Sequence, residues 1–345
     1  MPPDQALAVL TKISLRKITV AKEVMRLIGE MKTEAAFQTL LAFAQQDLHR
    51  DVRIALLRAF WTHLDREETW PILMAAADSA DSAVASMAGR TMAPSRSPEV
   101  ESRLIQLLIH VMKHPDPEVR ISVLHRLSTQ DVHDADQILA KPLIKRLSSP
   151  LQDEVSTAAA AFSTYARENA GLAGQVVTQL LSNRRTLQTL IGTFARTLWA
   201  GSNEVLTTGR SIIEALSTDP MTVKLRLDVG WIIFSITEFA SLIQSIADAR
   251  ELHADALMYA AARLSLSNHR SLGAAEAEAV EQAWRSDLNP ALRRLGLALL
   301  IGNTKPPFGW NAERRAILEQ YRQDPDPLVA SVAQFTFPPD EPDAD

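Results

Sequence analysis

The chain has 345 residues, of which 46% are hydrophobic, and it carries a formal net charge of −5. This length allows two or three ordinary domains or one long repeat array, and the charge gives no global bias toward nucleic acid. The 12 glycines and 3 tyrosines argue against an all-β protein rich in tight turns. Because the sequence has no cysteine, it excludes disulfides, thiolate zinc sites, iron–sulfur clusters and a catalytic thiol.

The ends and the most apolar run of the sequence favour a cytoplasmic protein with no membrane partner. Residues 1–4 lack the basic and then apolar order of a signal peptide. The most apolar run, Val229 to Ile236, is far shorter than the roughly 18 residues expected of a membrane span. The acidic, proline-rich segment 338–345 is predicted to be a disordered tail.

A turn followed by a helix recurs along the chain, and its best copy spans His114 to Leu127. In that copy Asp116 can cap a helix, and Pro117 has a backbone angle suited to a first helical turn. Val119 and the small or apolar residues at helical spacing after it form a stripe that must be buried. We use the apolar residue in the position of Val119 as the anchor for comparing copies.

Copies of this unit follow one another at intervals of 32 to 37 residues, with one double interval of 68. The double interval predicts a hidden copy near Leu187, and a first copy is predicted near Val20. The eight aligned anchors are Val52, Val84, Val119, Val155, Val223, Ala256, Leu292 and Val329. Because a lone helix pair cannot cover its apolar stripe, stacked pairs with one continuous core are expected.

Each period also has room for an earlier helix, and the sequence shows no convincing strand alternation. These helices are predicted at residues 34–44, 100–113, 135–147, 205–216 and 274–285. Six apolar residues between Trp231 and Phe239 predict one helix that is apolar on nearly every side. That helix belongs at the centre of the core or, alternatively, presents a groove for a partner's helix.

The Asp-x-x-Val-Arg pattern at residues 116–120, and its shorter match at 51–53, resembles HEAT repeats of the armadillo-like superfamily. The resemblance implies an all-α fold, a right-handed α–α superhelix of about ten helical pairs, continuous over residues 1–337. In that family the turn acid and the basic residue after the anchor form a polar ladder. The ladder is predicted to be interrupted here, because only four repeats keep the basic residue. Those four residues are Arg53, Arg120, Lys224 and Arg293, whereas Ala85, Ser156, Leu257 and Ala330 replace it elsewhere.

Four arginines form the main candidate site for binding a partner. Residues 169–203 contain no Asp or Glu but include Arg184, Arg185 and Arg196, and Arg210 follows in the next repeat. Such a patch can recognise an acidic peptide, a phosphate or a nucleic-acid backbone, or it can be an ordinary solvated surface. Phe308 and Trp310, in a loop that two prolines and a glycine keep out of helix, are candidate partner anchors or a cap on the array.

The sequence offers only weak candidates for chemistry. His110 and His114 have the spacing of two metal ligands on one helix face, but His114 is also placed to favour a helix C-terminus, and we expect no bound metal. A cluster of polar residues around His125 and Asp134 lies in a loop between repeats, where polar residues are expected anyway. No serine has a histidine base and an orienting acid at motif spacing. We expect neither an enzyme nor a cofactor.

The sequence therefore favours a non-catalytic scaffold or adaptor that binds another protein. A regulatory module working beside a separately encoded enzyme is a related possibility. The alternative is a nucleic-acid-binding protein of HEAT type, including the base-repair kind, which would use the Arg184, Arg185 and Arg196 patch. Base excision needs aromatic and acidic residues beside a basic groove. Trp199 lies near the patch, but the acid-free stretch supplies no nearby carboxylate.

Overall fold

Helices account for every regular element of the computed structural model in the residues that it describes. These residues are 2–92, 97–130, 132, 134, 136–167, 169–197, 203–266, 274–305 and 309–339. The chain divides into two units, Met1–Ala166 (unit 1) and Arg167–Asp345 (unit 2). None of the described helices combines the length and the apolar character needed to cross a membrane.

The described residues of unit 1 form ten α-helices, and a short 3₁₀ helix, Phe60–His63, follows the fourth of them. The helices are α1 (Pro3–Leu10), α2 (Ile18–Gly29), α3 (Glu34–Ala44), α4 (Arg50–Ala59), α5 (Thr69–Ala77), α6 (Ser82–Gly89), α7 (Pro98–Val111), α8 (Pro117–Thr129), α9 (Ala140–Leu147) and α10 (Gln152–Tyr165). Helices α2, α4, α6, α8 and α10 pack in series as one layer. Helices α3, α5, α7 and α9 each pack against the helix that follows, which forms a second layer.

Unit 2 has the same arrangement, with a 3₁₀ turn, Pro220–Thr222, before its fourth helix. Its helices are α11 (Ala170–Leu180), α12 (Arg184–Thr197), α13 (Asn203–Leu216), α14 (Val223–Ile233), α15 (Ile236–Asp248), α16 (Ala254–Leu266), α17 (Ala274–Arg285), α18 (Pro290–Asn303), α19 (Ala312–Arg322) and α20 (Pro327–Gln334). Helices α12, α14, α16, α18 and α20 pack in series. Helices α13, α17 and α19 each lie against the following helix.

The predicted anchors lie in the cores of the two units. All eight aligned anchors are buried, and Leu187, in the hidden copy, is completely buried. The first copy, predicted near Val20, falls on α2, where Val20 is half-buried and the adjacent Ala21 is buried. The turn acid begins the second helix as predicted: the Asp116 carboxylate accepts a hydrogen bond from the Glu118 backbone N–H at 2.9 Å.

Two predicted helices have different bounds in the structure. The apolar segment 229–239 is two helices and not one: α14 ends at Ile233, and α15 begins at Ile236. Ser235 and Glu238 form a capping box, in which each side chain accepts from the other residue's backbone N–H, so a new helix starts there. The helix predicted at 135–147 begins only at Ala140, because the Asp134 carboxylate holds the preceding backbone in a turn.

Two arginines at the basic position after the anchor join successive repeats. The Arg120 guanidinium donates two hydrogen bonds to the Glu154 carboxylate, at 2.7 and 2.8 Å, and two more to the carbonyls of its own turn, both at 2.8 Å. Arg293 repeats this geometry with Asp324, at 2.7 and 3.0 Å. We call Arg120 and Arg293 the bridging arginines. Both ion pairs are largely buried, since the side chains of Glu154 and Asp324 are 0% and 7% exposed.

The other two basic positions do not form such bridges. Arg53 approaches Asp47 of its own turn at 3.7 Å, and its side chain is 43% exposed. Lys224 lies over the Tyr259 ring of the next repeat, with its ammonium nitrogen 5.4 Å from the ring centroid. The predicted interruption of the ladder is thus confirmed, and it extends to repeats that keep a basic residue.

We expect a buried histidine to make unit 1 sensitive to mild acid. His63 is 4% exposed and lies against Phe37, with ring centroids 5.3 Å apart, and its Nε2 atom has no hydrogen-bond partner. Burial lowers the pKa of His63, although the nearby Asp65 and Glu34 carboxylates oppose this shift and Arg66 adds to it. An unfolded histidine takes up its proton near pH 6.5. Protons therefore bind the unfolded chain first as the pH falls below that value.

We expect the free energy of unfolding of wild type to decrease as the pH is lowered from about 6.5 to 5. His63→Leu should remove most of this decrease, because the buried position then no longer titrates. Urea titrations at closely spaced pH values measure it, and His125→Leu, an exposed substitution, is the control. An equal slope in the His63→Leu variant and in wild type would show that another group causes the pH dependence.

Candidate functional site

The structure divides the four predicted arginines between two layers of unit 2. Arg184 is at the start of α12, and its guanidinium donates to the Asp219 carboxylate of the next repeat at 2.6 Å. Arg210 lies on α13, where it donates to Glu238 at 2.6 Å. These two charges are therefore compensated. The acids that pair with them, Asp219 and Glu238, come from later parts of the chain and not from the acid-free stretch.

The outer face of α12 keeps two uncompensated arginines. Arg185, Thr189, Gly192 and Arg196 succeed one another at intervals of four, three and four, so they share one helix face. Both arginines are exposed, and neither forms an ion pair with any residue that the structure describes. Eleven residues separate them, which places their Cα atoms about 16 Å apart along the helix axis. These two charges therefore form an extended face and not a single pocket.

Gly192 stands exposed between the two arginines. A Cβ atom built on it would have no atom within 4 Å, so packing within the chain does not require glycine there. Glycine inside a helix costs about 0.5–1 kcal/mol relative to alanine. Thr189 weakens the same helix further, because its hydroxyl bonds the Arg185 carbonyl at 3.0 Å. We call the face formed by Arg185, Thr189, Gly192 and Arg196 the α12 face.

Trp310, in the described part of the loop between α18 and α19, is folded back and does not project as an anchor. Trp310 is half-buried and packs against the apolar cluster at the end of unit 2, which includes Leu300 and Leu318. Gly309, just before it, has a φ of +64° that favours glycine, and this turn directs the chain back onto the cluster. Phe308 lies outside the described residues, as does Trp199 of the base-repair alternative. The observed position of Trp310 is that of a cap.

The candidate metal-binding histidines have other partners. His110 Nε2 is 2.6 Å from Asp78, which belongs to the preceding repeat. His114 Nδ1 accepts from the backbone N–H of Asp116 at 3.1 Å, so this ring supports the turn before α8. In the part of the chain that the structure describes, no three His, Asp or Glu side chains are grouped as a metal site would need.

Among the loop residues around His125, Asp134 has a structural role. Its carboxylate accepts a hydrogen bond from the Tyr165 hydroxyl at 2.7 Å and from two backbone N–H groups. Asp131 and His133 lie outside the described residues. Asp136 is exposed, and no hydrogen bond links it to His125.

A groove in unit 1, which sequence analysis missed, is a further candidate for binding. Its volume is about 790 Å³, within the range of specific ligand sites, and it runs across α2, α4 and the residues after them. Ile54, Ala55 and the ring of Trp61 are half-buried along its floor, and Met92 at one end is 47% exposed.

Close packing of α2 against α4 builds the base of this groove. A Cβ atom on Gly29 would lie 2.7 Å from the Cα atom of Ala59, so only glycine permits the contact between the two helices. The Thr62 hydroxyl donates to the Gly29 carbonyl at 2.5 Å, which fixes the 3₁₀ turn bearing Trp61 against the end of α2. The groove is thus held by backbone contacts and is already formed in the free chain.

The rim of the groove has an uneven balance of charge. Arg26 forms ion pairs with Glu23 at 2.5 Å and with Glu30, so this cluster keeps one net negative charge. Lys22 and Arg58 are exposed and form no ion pair with any described residue. Asp51 is the remaining acid, and Arg50 lies 3.4 Å from it. These residues are four cations and three acids, so the rim has a small positive excess, and its cations without an ion pair are Lys22 and Arg58.

The groove could have been found in part from the sequence. Gly29 interrupts an otherwise apolar helix pattern, and a glycine there signals close approach of another backbone. The floor residues come from separate helices, and no motif connects them.

The fold defines an all-helical protein with a repeat-like arrangement of neighbouring helix pairs. No family model matches the sequence, and no curated protein matches it. Among solved structures, a crystal structure of an engineered protein from the Northeast Structural Genomics Consortium is 16% identical and covers 97% of this chain and 98% of its own, with a TM-score of 0.37. Similarity at this level indicates neither the family nor the function of the chain.

Proposed function

We propose that the chain is a helical-repeat protein of HEAT type, with the right-handed α–α superhelix that the sequence predicts, and that it acts as a non-catalytic scaffold or adaptor. The observation that carries this proposal is the preformed groove of unit 1, with half-buried Ile54 and Trp61 on its floor. Partly exposed large apolar side chains in a concave site are typical anchors for a protein partner. Lys22 and Arg58 on the rim suit carboxylates flanking the partner's apolar residues.

A protein partner fits the groove better than a nucleic acid does. Nucleic-acid sites gain most of their affinity from many phosphate contacts. The rim offers only two uncompensated cations, and Glu23, Glu30 and Asp51 are at the same rim. Of the arginines on which the nucleic-acid alternative depends, Arg184 is already paired with an acid.

Ile54→Asp is expected to abolish retention of a defined protein partner by the immobilised chain. The substitution places a carboxylate on the groove floor, so a partner's apolar side chain would have to bury it. Mass spectrometry of proteins retained from a lysate of the source cells, with and without nuclease, measures the effect. Leu288→Asp is the matched control, because Leu288 is 98% exposed and lies in unit 2.

The melting temperature of Ile54→Asp should stay close to that of wild type, because Ile54 is only half-buried. If the same proteins are retained by both variants and by wild type, the groove is not the binding site. If proteins are no longer retained after nuclease treatment, the result supports the nucleic-acid alternative instead.

A further inference from the structure

The α12 face of unit 2 has features that neither the core nor the groove explains. It carries two arginines without ion-pair partners among the described residues, and it lies within a stretch, residues 169–203, that has no Asp or Glu. The nearest charged neighbour on the helix, Arg184, is held by Asp219 at 2.6 Å. The positive charge of this face is therefore available to a ligand.

Gly192 is a second unexplained feature of the α12 face. Two other helical glycines are required by close packing: a Cβ on Gly89 would lie 2.4 Å from Val123, and one on Gly209 would lie 2.6 Å from Ile233. Gly192 has no such neighbour among the described residues, yet it lies in the interior of α12 on the exposed side of that helix, where glycine is unfavourable. A bare helix surface between two arginines allows another backbone to approach closely.

We propose that the α12 face is a second binding site, which takes an extended acidic polypeptide segment. Arg185 and Arg196 would each bind a carboxylate of that segment through two parallel hydrogen bonds. The backbone of the segment would lie against Gly192. The site is separate from the groove, and a test of one site does not decide the other. With two sites, the chain would hold two different partner segments.

The chemistry of the face favours an acidic polypeptide over a nucleic acid. Two cations about 16 Å apart match widely spaced carboxylates, whereas typical DNA-binding surfaces neutralise some six to ten phosphates. The described residues of the α12 face include no aromatic side chain on which a base could stack. Thr189 and Gln188, also on the outer side of α12, can hydrogen-bond a peptide backbone.

Binding of a fluorescein-labelled decapeptide of glutamate tests the proposal, with a glutamine decapeptide and a thymidine oligomer of ten nucleotides as comparison probes. Arg185→Glu with Arg196→Glu should weaken glutamate-peptide binding about tenfold or more, and added salt should reduce the difference. The matched control is Lys141→Glu with Lys145→Glu on α9, which makes the same change in net charge on an exposed helix. It should leave the affinity within about twofold.

Gly192→Gln tests the close approach without changing charge. It should weaken glutamate-peptide binding about tenfold, while the melting temperature stays the same or rises, because glutamine is the better helix former and has open space there. Gly171→Gln on α11 is the control, since a Cβ there meets only Asn169 at 3.8 Å.

Three results would overturn the proposal. One is equal binding of the glutamine and glutamate peptides, or no binding of either. Another is binding of the glutamate peptide that neither the double charge reversal nor Gly192→Gln changes. The third is tighter binding of the thymidine oligomer than of the glutamate peptide, which would identify a nucleic-acid surface.

Discussion

Arg120→Met is expected to lower the free energy of unfolding of unit 1 by about 3 kcal/mol or more. The substitution leaves Glu154, whose side chain is completely buried, with only the Ser149 hydroxyl at 2.7 Å and Arg146 at 3.2 Å. It also leaves the carbonyls of His114 and Pro115 without their donor. Chemical denaturation followed by circular dichroism measures the loss.

Two variants separate the ion pair from the rest of the side chain. Arg120→Met with Glu154→Leu should recover much of the stability, because an apolar pair can replace a buried ion pair at little cost. Arg53→Met, at the same position of another repeat, should change stability by less than about 0.5 kcal/mol, since its ion pair is long and exposed. A double variant no more stable than Arg120→Met would contradict this account of the bridge.

The ion pair of Arg120 with Glu154 also predicts that the stability of unit 1 decreases at low pH. Burial alone would raise the pKa of Glu154, but hydrogen bonds from Arg120, Ser149 and Arg146 outweigh it and lower the pKa to about 2. Because an unfolded glutamate titrates near pH 4.3, the ion pair stabilises unit 1 above that pH. That contribution is lost as the pH falls from about 4.3 to 2, and Arg120→Met should reduce the loss.

Val119→Asp is expected to destabilise unit 1 by about 4 kcal/mol or more, enough to unfold a marginal domain. Val119 is 0% exposed, and the new carboxylate would be buried without a designed partner. Thermal melts of wild type and variant measure the effect. Val9→Asp is the control, because Val9 is 54% exposed and should tolerate the charge.

Val119→Ala isolates the loss of volume from the introduction of charge. It should cost less than Val119→Asp, since it leaves a cavity but no buried charge. If Val119→Asp and wild type have the same melting temperature, the side of α8 that carries Val119 does not face the core.

The repeat anchors could be predicted because apolar residues at a regular interval must share a core. Val119 and Leu292 illustrate this: each is completely buried in the position that the turn acid and helical spacing indicate. The break between two helices at Ser235 could also have been predicted, because Ser235 and Glu238 have the spacing of a capping box. The run of apolar residues around it indicated one continuous helix instead.

The binding surfaces were harder to predict because their properties depend on residues from different repeats. The charge of Arg184 could not be assessed without Asp219, which lies 35 residues further along the chain. The groove floor likewise combines Ile54, Trp61 and Met92, which share no motif. Sequence periodicity identifies which side of a helix is buried, but it does not identify which charges remain unpaired on the other side.

The uneven distribution of bridging arginines means that neighbouring helix pairs are not equally hard to separate. In a repeat protein, stability is approximately a sum of terms for each repeat and each junction, so opening begins where junctions are weakest. Arg120 ties α8 to the first turn of α10, whereas Arg53 on α4 reaches only its own turn. We therefore expect the junctions near α4, which lack such a bridge, to open before the junction of α8 with α10. A partner bound in the groove across α2 and α4 would stabilise the folded form of these repeats and make their opening rarer.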